Sequence, residues 1–352
     1  MEKQQTVLAP QKRDQRLDFV KLVSCIAVVV IHTLRNNAYI LNTAIYHLCA
    51  FAVPCFFIAS GVILLNKSKV TYQYAIGKIL KVVRVIILWH IIYYGMSFLL
   101  FTCGNGFDSK QLINCGFLCA KNSIRCMLQR GPFWQFWYLG TMCLIYLMLP
   151  MLHKLLNPWR GLKRLAIFWG ICASISVGLQ LVSSILGFCV QEKVVQSFRV
   201  WTWFQYFCLG GLMPPLLVKV KAKLSMRKHI VLLCLASAMV VVRGLLVRMM
   251  PQFSKVEYFY DSPLTILWVA LLFSCIMRLK SESLPHKFLR AFSPLIMGVY
   301  IVHVQVRMGL LSLWVVDGMV EQLAITGVTL VISFLIAQIL RVIPGGKHLM
   351  NI

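Results

Sequence analysis

An all-α bundle that crosses a membrane about ten times, with both termini in the cytoplasm, is the fold class the sequence predicts. Three observations carry it: a composition too apolar for a soluble core, apolar runs of bilayer length, and a regular alternation of basic residues between successive loops. Of 352 residues, 59% are apolar and 13% are charged, where a soluble domain carries about a quarter charged residues. So much apolar surface needs lipid as its solvent. Runs that suit a span of about 20 residues fall at 18–36, 46–65, 80–102, 136–153, 165–188, 200–218, 229–249, 262–280, 293–316 and 321–343.

The loops supply the orientation. Cytoplasmic loops of membrane proteins are rich in Lys and Arg. With the N-terminus inside, the inner segments hold 25 of the 36 basic residues, and the outer ones hold nine. Arg243 and Arg307 lie within spans. Six of the ten acids, Asp108, Glu192, Glu257, Asp261, Asp317 and Glu321, fall in outer segments. A net charge of +26 would suggest nucleic acid in a soluble protein; here the cations sit in short clusters between apolar runs, so a topological role replaces it and no nucleic-acid partner is expected.

Residues 1–17 are polar and carry Lys3, Lys12, Arg13 and Arg16. The apolar run after Asp18 has spanning length and no small-residue cleavage site, so it reads as a retained first helix behind a short cytoplasmic tail. The whole chain, 1–352, reads as one transmembrane domain of a multi-pass protein in the plasma or inner membrane. Eight of the thirteen cysteines lie in apolar segments, where cysteine behaves as a small hydrophobe. No CxxC pair or Cys/His ligand spacing appears, so no metal is expected. The long outer segment 103–135 holds Cys103, Cys115, Cys119 and Cys126, among which the sequence assigns no pair. It ends in the aromatic run from Phe133 to Tyr138, which reads either as an interfacial belt or as the wall of an acceptor site, since Trp137 and Tyr138 offer faces suited to sugar rings.

Ionisable side chains inside a bilayer are costly and mark function. His32, His47, His90 and His303 fall in spans; a lone membrane histidine serves as often to bond a neighbouring helix. Lys21 and His32 are eleven residues apart, close to three helical turns, so both lie on one face about 16 Å apart along the axis. That face carries a cation near the inner surface and an imidazole deep in the membrane, with Arg16 and Asp18 at its mouth; Lys21 alternatively snorkels to the interface. Lys78, Lys81 and Arg84 share a face of the third span and read either as topological charge or as a phosphate clamp, Lys a point charge and Arg a bidentate fork. Ser60 and Gly61 lie near the inner end of the second span, where a glycine permits close approach of a ligand to the backbone. Tyr300, His303 and Arg307 lie on one face of the ninth span, as a polar knot between helices or as part of a second site.

These residues resemble the membrane-bound acyltransferase-3 family. Arg16-Leu17-Asp18-Phe19-Val20-Lys21, followed by Ile26 to His32, is similar to the family's first helix, in which a cation, ten residues and a histidine recur. Val53-Pro54-Cys55-Phe56-Phe57-Ile58-Ala59-Ser60-Gly61 is similar to its aromatic-pair-then-Ser-Gly motif. Lys81-Val82-Val83-Arg84 stands where the family has two arginines, the lysine being a departure. Phe136 to Leu139 and Tyr300 to His303 resemble its later signatures. The resemblance implies transfer of an acyl group, commonly acetyl, from cytoplasmic acyl-CoA to a hydroxyl of an extracytoplasmic or lipid-linked glycan. Acyl-CoA is then a donor substrate, not a bound cofactor. The donor would be bound by Arg16, Lys21, Ser60, Gly61, Lys81 and Arg84, with its phosphates on Lys21, Lys81 and Arg84, and His32 would act as general base or as nucleophile. The other partners implied are membrane lipid and the hydroxyl acceptor; the sequence does not give an oligomeric state. A transporter for a lipid-linked glycan, with His32, His303 and Arg307 lining its path, is the competing reading. Transporters often repeat one half of the chain in the other, and nothing in the second half echoes the Lys21–His32 pattern.

Overall fold

The computed structural model describes residues 14–34, 39–156, 158–250, 253 and 255–352, with the backbone alone at 156 and 158–160. The tail residues 1–13, with Lys3, Lys12 and Arg13, lie outside the described residues, as does Arg35. Residues 14–17, expected in that tail, instead start the first helix. α1 runs Gln15–Thr33, capped by Asp14, whose carboxylate accepts the Arg16 N–H at 2.9 Å. Partial burial works against this carboxylate, but the hydrogen bonds and charge of Arg16 hold Asp14 below the usual carboxyl range.

The second expected span is two helices, α2 (Ile40–Leu48) and α3 (Ala52–Leu65), joined by a tighter turn at Cys49–Phe51. Thr71 caps α4 (Tyr72–Asn105), which stops at Gly106, where φ of 80° favours glycine. The outer segment 103–135 is not a plain loop. Asp108 caps an amphipathic helix, α5 (Ser109–Arg125), that exposes Ile113 and Phe117 beside Lys110 and Lys121.

α6 (Trp137–Leu156) and α7 (Pro158–Leu186) follow, then α8 (Val200–Lys223) and α9 (Met226–Val247). Pro263 opens α10 (Pro263–Met277), where its missing N–H costs nothing. The short α11 (His286–Phe292), α12 (Ile296–Leu313) and α13 (Met319–Val342) complete the bundle. The described residues contain no strand.

Among the described residues, seven helical stretches are long and apolar enough to cross a membrane: Ile40–Leu65, Tyr72–Asn105, Trp134–Leu155, Gly161–Leu186, Met226–Val247, His286–Leu313 and Met319–Val342. The other three expected spans are also helices, but of a different kind. α10 has only 15 residues. α1 carries Arg16, Asp18 and Lys21, and α8 carries Gln205, two glycines and Pro214-Pro215 in a largely buried stretch. Leu100, Leu246 and Val342 are more than two-thirds exposed on the outside of the bundle, as a lipid-facing surface requires.

The tightest crossing is that of α3 with α8. A Cβ on Gly61 would stand 1.9 Å from the Phe207 carbonyl oxygen, and one on Gly210 would stand 2.1 Å from that of Ile58. In lipid, helices associate through such close backbone contact because burial of apolar surface no longer drives them together. α1 is packed by α3, α12 and α13, so its polar face looks into the bundle.

Candidate active site

α1 and α12 place two histidines side by side. The His32 and His303 rings stack with centroids 5.3 Å apart, and Trp134 meets His32 edge-on at 5.0 Å. The depth of the pair follows from its neighbours. His303 is seven residues into α12, about 10 Å from its start. Thr33, next to His32, accepts a 2.8 Å hydrogen bond from Thr326, which is seven residues into α13 and about 10 Å from the opposite end of the bundle. The imidazoles therefore lie deep, reached from neither surface by less than two turns of helix.

His303 has a defined tautomer. Its Nδ1 lies 2.7 Å from the Tyr300 carbonyl oxygen; a carbonyl only accepts, so Nδ1 carries the proton. Nε2 is then a lone-pair acceptor, buried and without a partner among the described residues. Arg307, one turn further along α12, is close enough for its charge to act on both rings.

A narrow chamber of about 60 Å³ opens beside His32, lined by Phe56, Trp137, Tyr138, Tyr300, Gln135 and Glu257 among others. Below it lies a wider vestibule of about 290 Å³, whose lining includes Asp18, Lys21, Ser60, Ser293 and Ile352. Phe56, Tyr138, Ile296 and Met297 line both, so the two spaces abut across one apolar waist. Ser60 and Tyr138 both line the vestibule at this waist. The Lys21–His32 face expected of α1 thus has its cation in the vestibule and its imidazole in the chamber.

Several expected ligand contacts are placed elsewhere. Gly61 does make a close approach, but to the backbone of α8, and it lines neither space. Arg16 is occupied by Asp14 and by the Met277 carbonyl, to which it donates at 2.9 Å, tying α1 to the end of α10. Lys81 is exposed on α4 and lines neither space. Arg84 donates to the Asn351 carbonyl at 3.3 Å, Lys78 to that of Ile352 at 3.0 Å, and Trp89 to that of Leu349 at 2.8 Å. These α4 side chains hold the segment 349–352 at the edge of the vestibule. His47 and His90 are buried away from the chamber, beside Phe259 and Phe133 respectively. All thirteen cysteines are free thiols.

The aromatic run is not an interfacial belt. Phe133, Phe136 and Trp137 are at most 5% exposed, because the end of the outer segment turns inward. The Tyr300 hydroxyl donates to the Gln135 carbonyl and fixes that descent. A second segment, Val256–Asp261, descends in the same way. Tyr206 donates to the Tyr260 carbonyl at 2.6 Å, and Thr202 to Asp261 at 2.6 Å. Burial raises the Asp261 carboxyl above the usual range, against the hydrogen bonds of Thr202 and Trp201 and the charge of Arg199. These two descending segments bring Gln135, Glu257 and Tyr260 into the chamber wall. Sequence reasoning missed all three. Glu257 was counted as one outer acid among six, and only its flanking by buried Val256, Tyr258, Phe259 and Tyr260 distinguishes it from a solvated loop acid.

Paired histidines over an apolar waist, with a polar vestibule beneath, make up the candidate site of the bundle. A family model described as an acyltransferase domain, Acyl_transf_3, matches residues 14–338. The chain belongs to that acyltransferase family. No curated protein and no solved structure matches it.

Proposed function

We propose that this protein is an O-acyltransferase of the plasma or inner membrane that moves an acyl group, in the simplest case acetyl, from acyl-CoA to a hydroxyl of an extracytoplasmic or lipid-linked glycan. In this reading both termini and the basic loops face the cytoplasm, and the donor enters from that side. The observation that carries it is the pair of abutting spaces leading from Lys21 to His32. A nucleotide thioester on a thin arm needs a cation at the surface, an apolar passage of small cross-section and a base at its end. Lys21, the waist at Phe56, Tyr138, Ile296 and Met297, and the histidine pair supply these in that order.

The chemistry balances without a further group. An imidazole nitrogen takes the proton of the acceptor hydroxyl as its oxygen attacks the thioester carbonyl. The carbon–sulfur bond then breaks, and the CoA thiolate leaves and is protonated. The ring of His32, which lines the chamber, and the unpartnered Nε2 of His303 stacked on it are acceptors for that proton. Proteoliposomes with labelled acetyl-CoA test the reading: label should pass to a hydroxyl acceptor with the wild-type chain and not with His32→Ala. Full transfer by His32→Ala would overturn it.

A further inference from the structure

Two polar groups of the chamber wall are left with unfilled acceptor positions. Gln135 is 2% exposed and lines the chamber. An amide side chain can be turned either way, but here its neighbours decide. Gln305 donates through Nε2 to the Pro132 carbonyl at 2.7 Å, which directs the Gln305 oxygen toward Gln135. Gln135 Nε2 lies 3.1 Å from the Ile301 carbonyl and 3.4 Å from that Gln305 oxygen. Both are acceptors, so the nitrogen must face them. Gln135 Oε1 is the end left over, and it is buried without a partner among the described residues.

Glu257 is the second such group. Its Oε2 accepts from Gln196 Nε2 at 3.1 Å, and a carboxylate has about four acceptor positions. It is also the one carboxylate among the residues lining this chamber. The Tyr300 phenol spends its proton on the Gln135 carbonyl, and the donors that remain in the wall, the Tyr138 and Tyr260 phenols, the Trp137 indole N–H and the His32 ring, make no hydrogen bond to Gln135 Oε1. A buried acceptor without a donor costs free energy, so a ligand that fits must bring donors. The remaining wall, Phe56, Trp137 and Tyr260, is aromatic, and a volume of about 60 Å³ admits the hydroxymethyl arm of a sugar rather than its whole ring.

We propose that Gln135 Oε1 and the Glu257 carboxylate form the acceptor-binding half of the chamber and select a sugar's neutral hydroxymethyl arm over a carboxylate in its place. The proposal rests on the acyltransferase reading above and adds the specificity of its second substrate. An acidic sugar would set a carboxylate against Glu257 in a space with little water, where like charges repel strongly.

The test uses the full chain in detergent micelles with two probes, methyl β-glucoside and methyl β-glucuronide, which differ by a carboxylate. Saturation-transfer NMR should give binding of the glucoside at least about tenfold tighter than that of the glucuronide. Glu257→Gln and Gln135→Leu should each weaken glucoside binding by about ten- to a hundredfold, the loss expected for a hydrogen bond to a buried or charged acceptor. Glu257→Gln should also narrow the gap between the probes, and both variants should still bind acetyl-CoA. Absence of glucoside binding by the wild type, equal binding of the two probes, or unchanged binding by the variants would each overturn the proposal. The wild-type comparison needs no variant to fold. Consumption of acetyl-CoA on the same preparation separates the two levels: if the glucoside binds with the predicted preference but acetyl-CoA is neither bound nor consumed, the subsite stands and the transfer reaction falls.

Discussion

His303 stacks on His32 at 5.3 Å and holds its own Nδ1 proton against the Tyr300 carbonyl. The two rings lie side by side, and in the proposed reaction they act as one basic centre. Loss of either should be severe. His32→Ala and His303→Ala are each expected to lower acetyl transfer by about 10²–10⁴-fold, the range of a general base, while acetyl-CoA binding persists. The check is single-turnover transfer in proteoliposomes paired with a binding isotherm. A His303→Ala form with near wild-type transfer would return that residue to a packing role and leave His32 as the base.

The cations below the waist should not be equivalent. Lys21 lines the vestibule, whereas Lys81 points away from it and is exposed. Lys21→Ala is expected to raise the KM for acetyl-CoA by about ten- to a hundredfold, the cost of one charged contact. Lys81→Ala should change it by less than about threefold, as for an exposed charge. Arg84→Ala is expected to free the segment 349–352, which Arg84, Lys78 and Trp89 hold through its carbonyls. Faster amide exchange at those residues would show it. Equal KM changes at positions 21 and 81 would contradict the placement of the vestibule.

Much of this was legible in the sequence, and the exceptions have physical reasons. Helix period and spacing put Lys21 and His32 on one face of one helix, and the structure keeps that relation because α1 is unbroken from Gln15 to Thr33. The pairing of His32 with His303 was not legible, since no local pattern reports which helices touch. Nor was the role of Gln135 and Glu257: both lie on segments that read as outer loops and that descend only because Tyr300, Tyr206 and Thr202 hydrogen-bond their backbone or side chains. Gly61 reads in the sequence as a place where a ligand approaches the backbone; the structure sets the backbone of α8 against it, and a glycine in a sequence does not say whether a ligand or a helix is what approaches.

That last distinction can be measured. A methyl group on Gly61 would overlap the Phe207 carbonyl oxygen at 1.9 Å, an atom of helical backbone that cannot swing aside. Gly61→Ala is therefore expected to destabilise the fold by about 1–3 kcal/mol or more, as overpacking does. A lowered unfolding temperature in detergent, with an unchanged KM for acetyl-CoA in the fraction that remains folded, is the expected result. An unchanged unfolding temperature with a raised KM would make Gly61 a donor contact after all.

Topology is the remaining prediction, and the site reading depends on it. The donor vestibule lies at the end of the bundle that holds Lys21, Ser60 and Ser293, and the histidines lie deeper. If the basic loops face the cytoplasm, a donor made there reaches the vestibule directly, and α5 lies on the opposite side. Ile113 and Phe117 on α5 are 72% and 62% exposed, with Lys110 and Lys121 also on its surface, so this helix should lie in the outer interface rather than in water. Single cysteines placed in the stretch 104–133 should react with an impermeant thiol reagent added from outside, and those in 219–228 only after the membrane is opened. Depth-dependent quenching of a fluorophore on position 113 should find it at the level of the headgroups. Labelling of both stretches from the same side would invert the order of spans between them, and would put donor and acceptor on the wrong ends of the chamber.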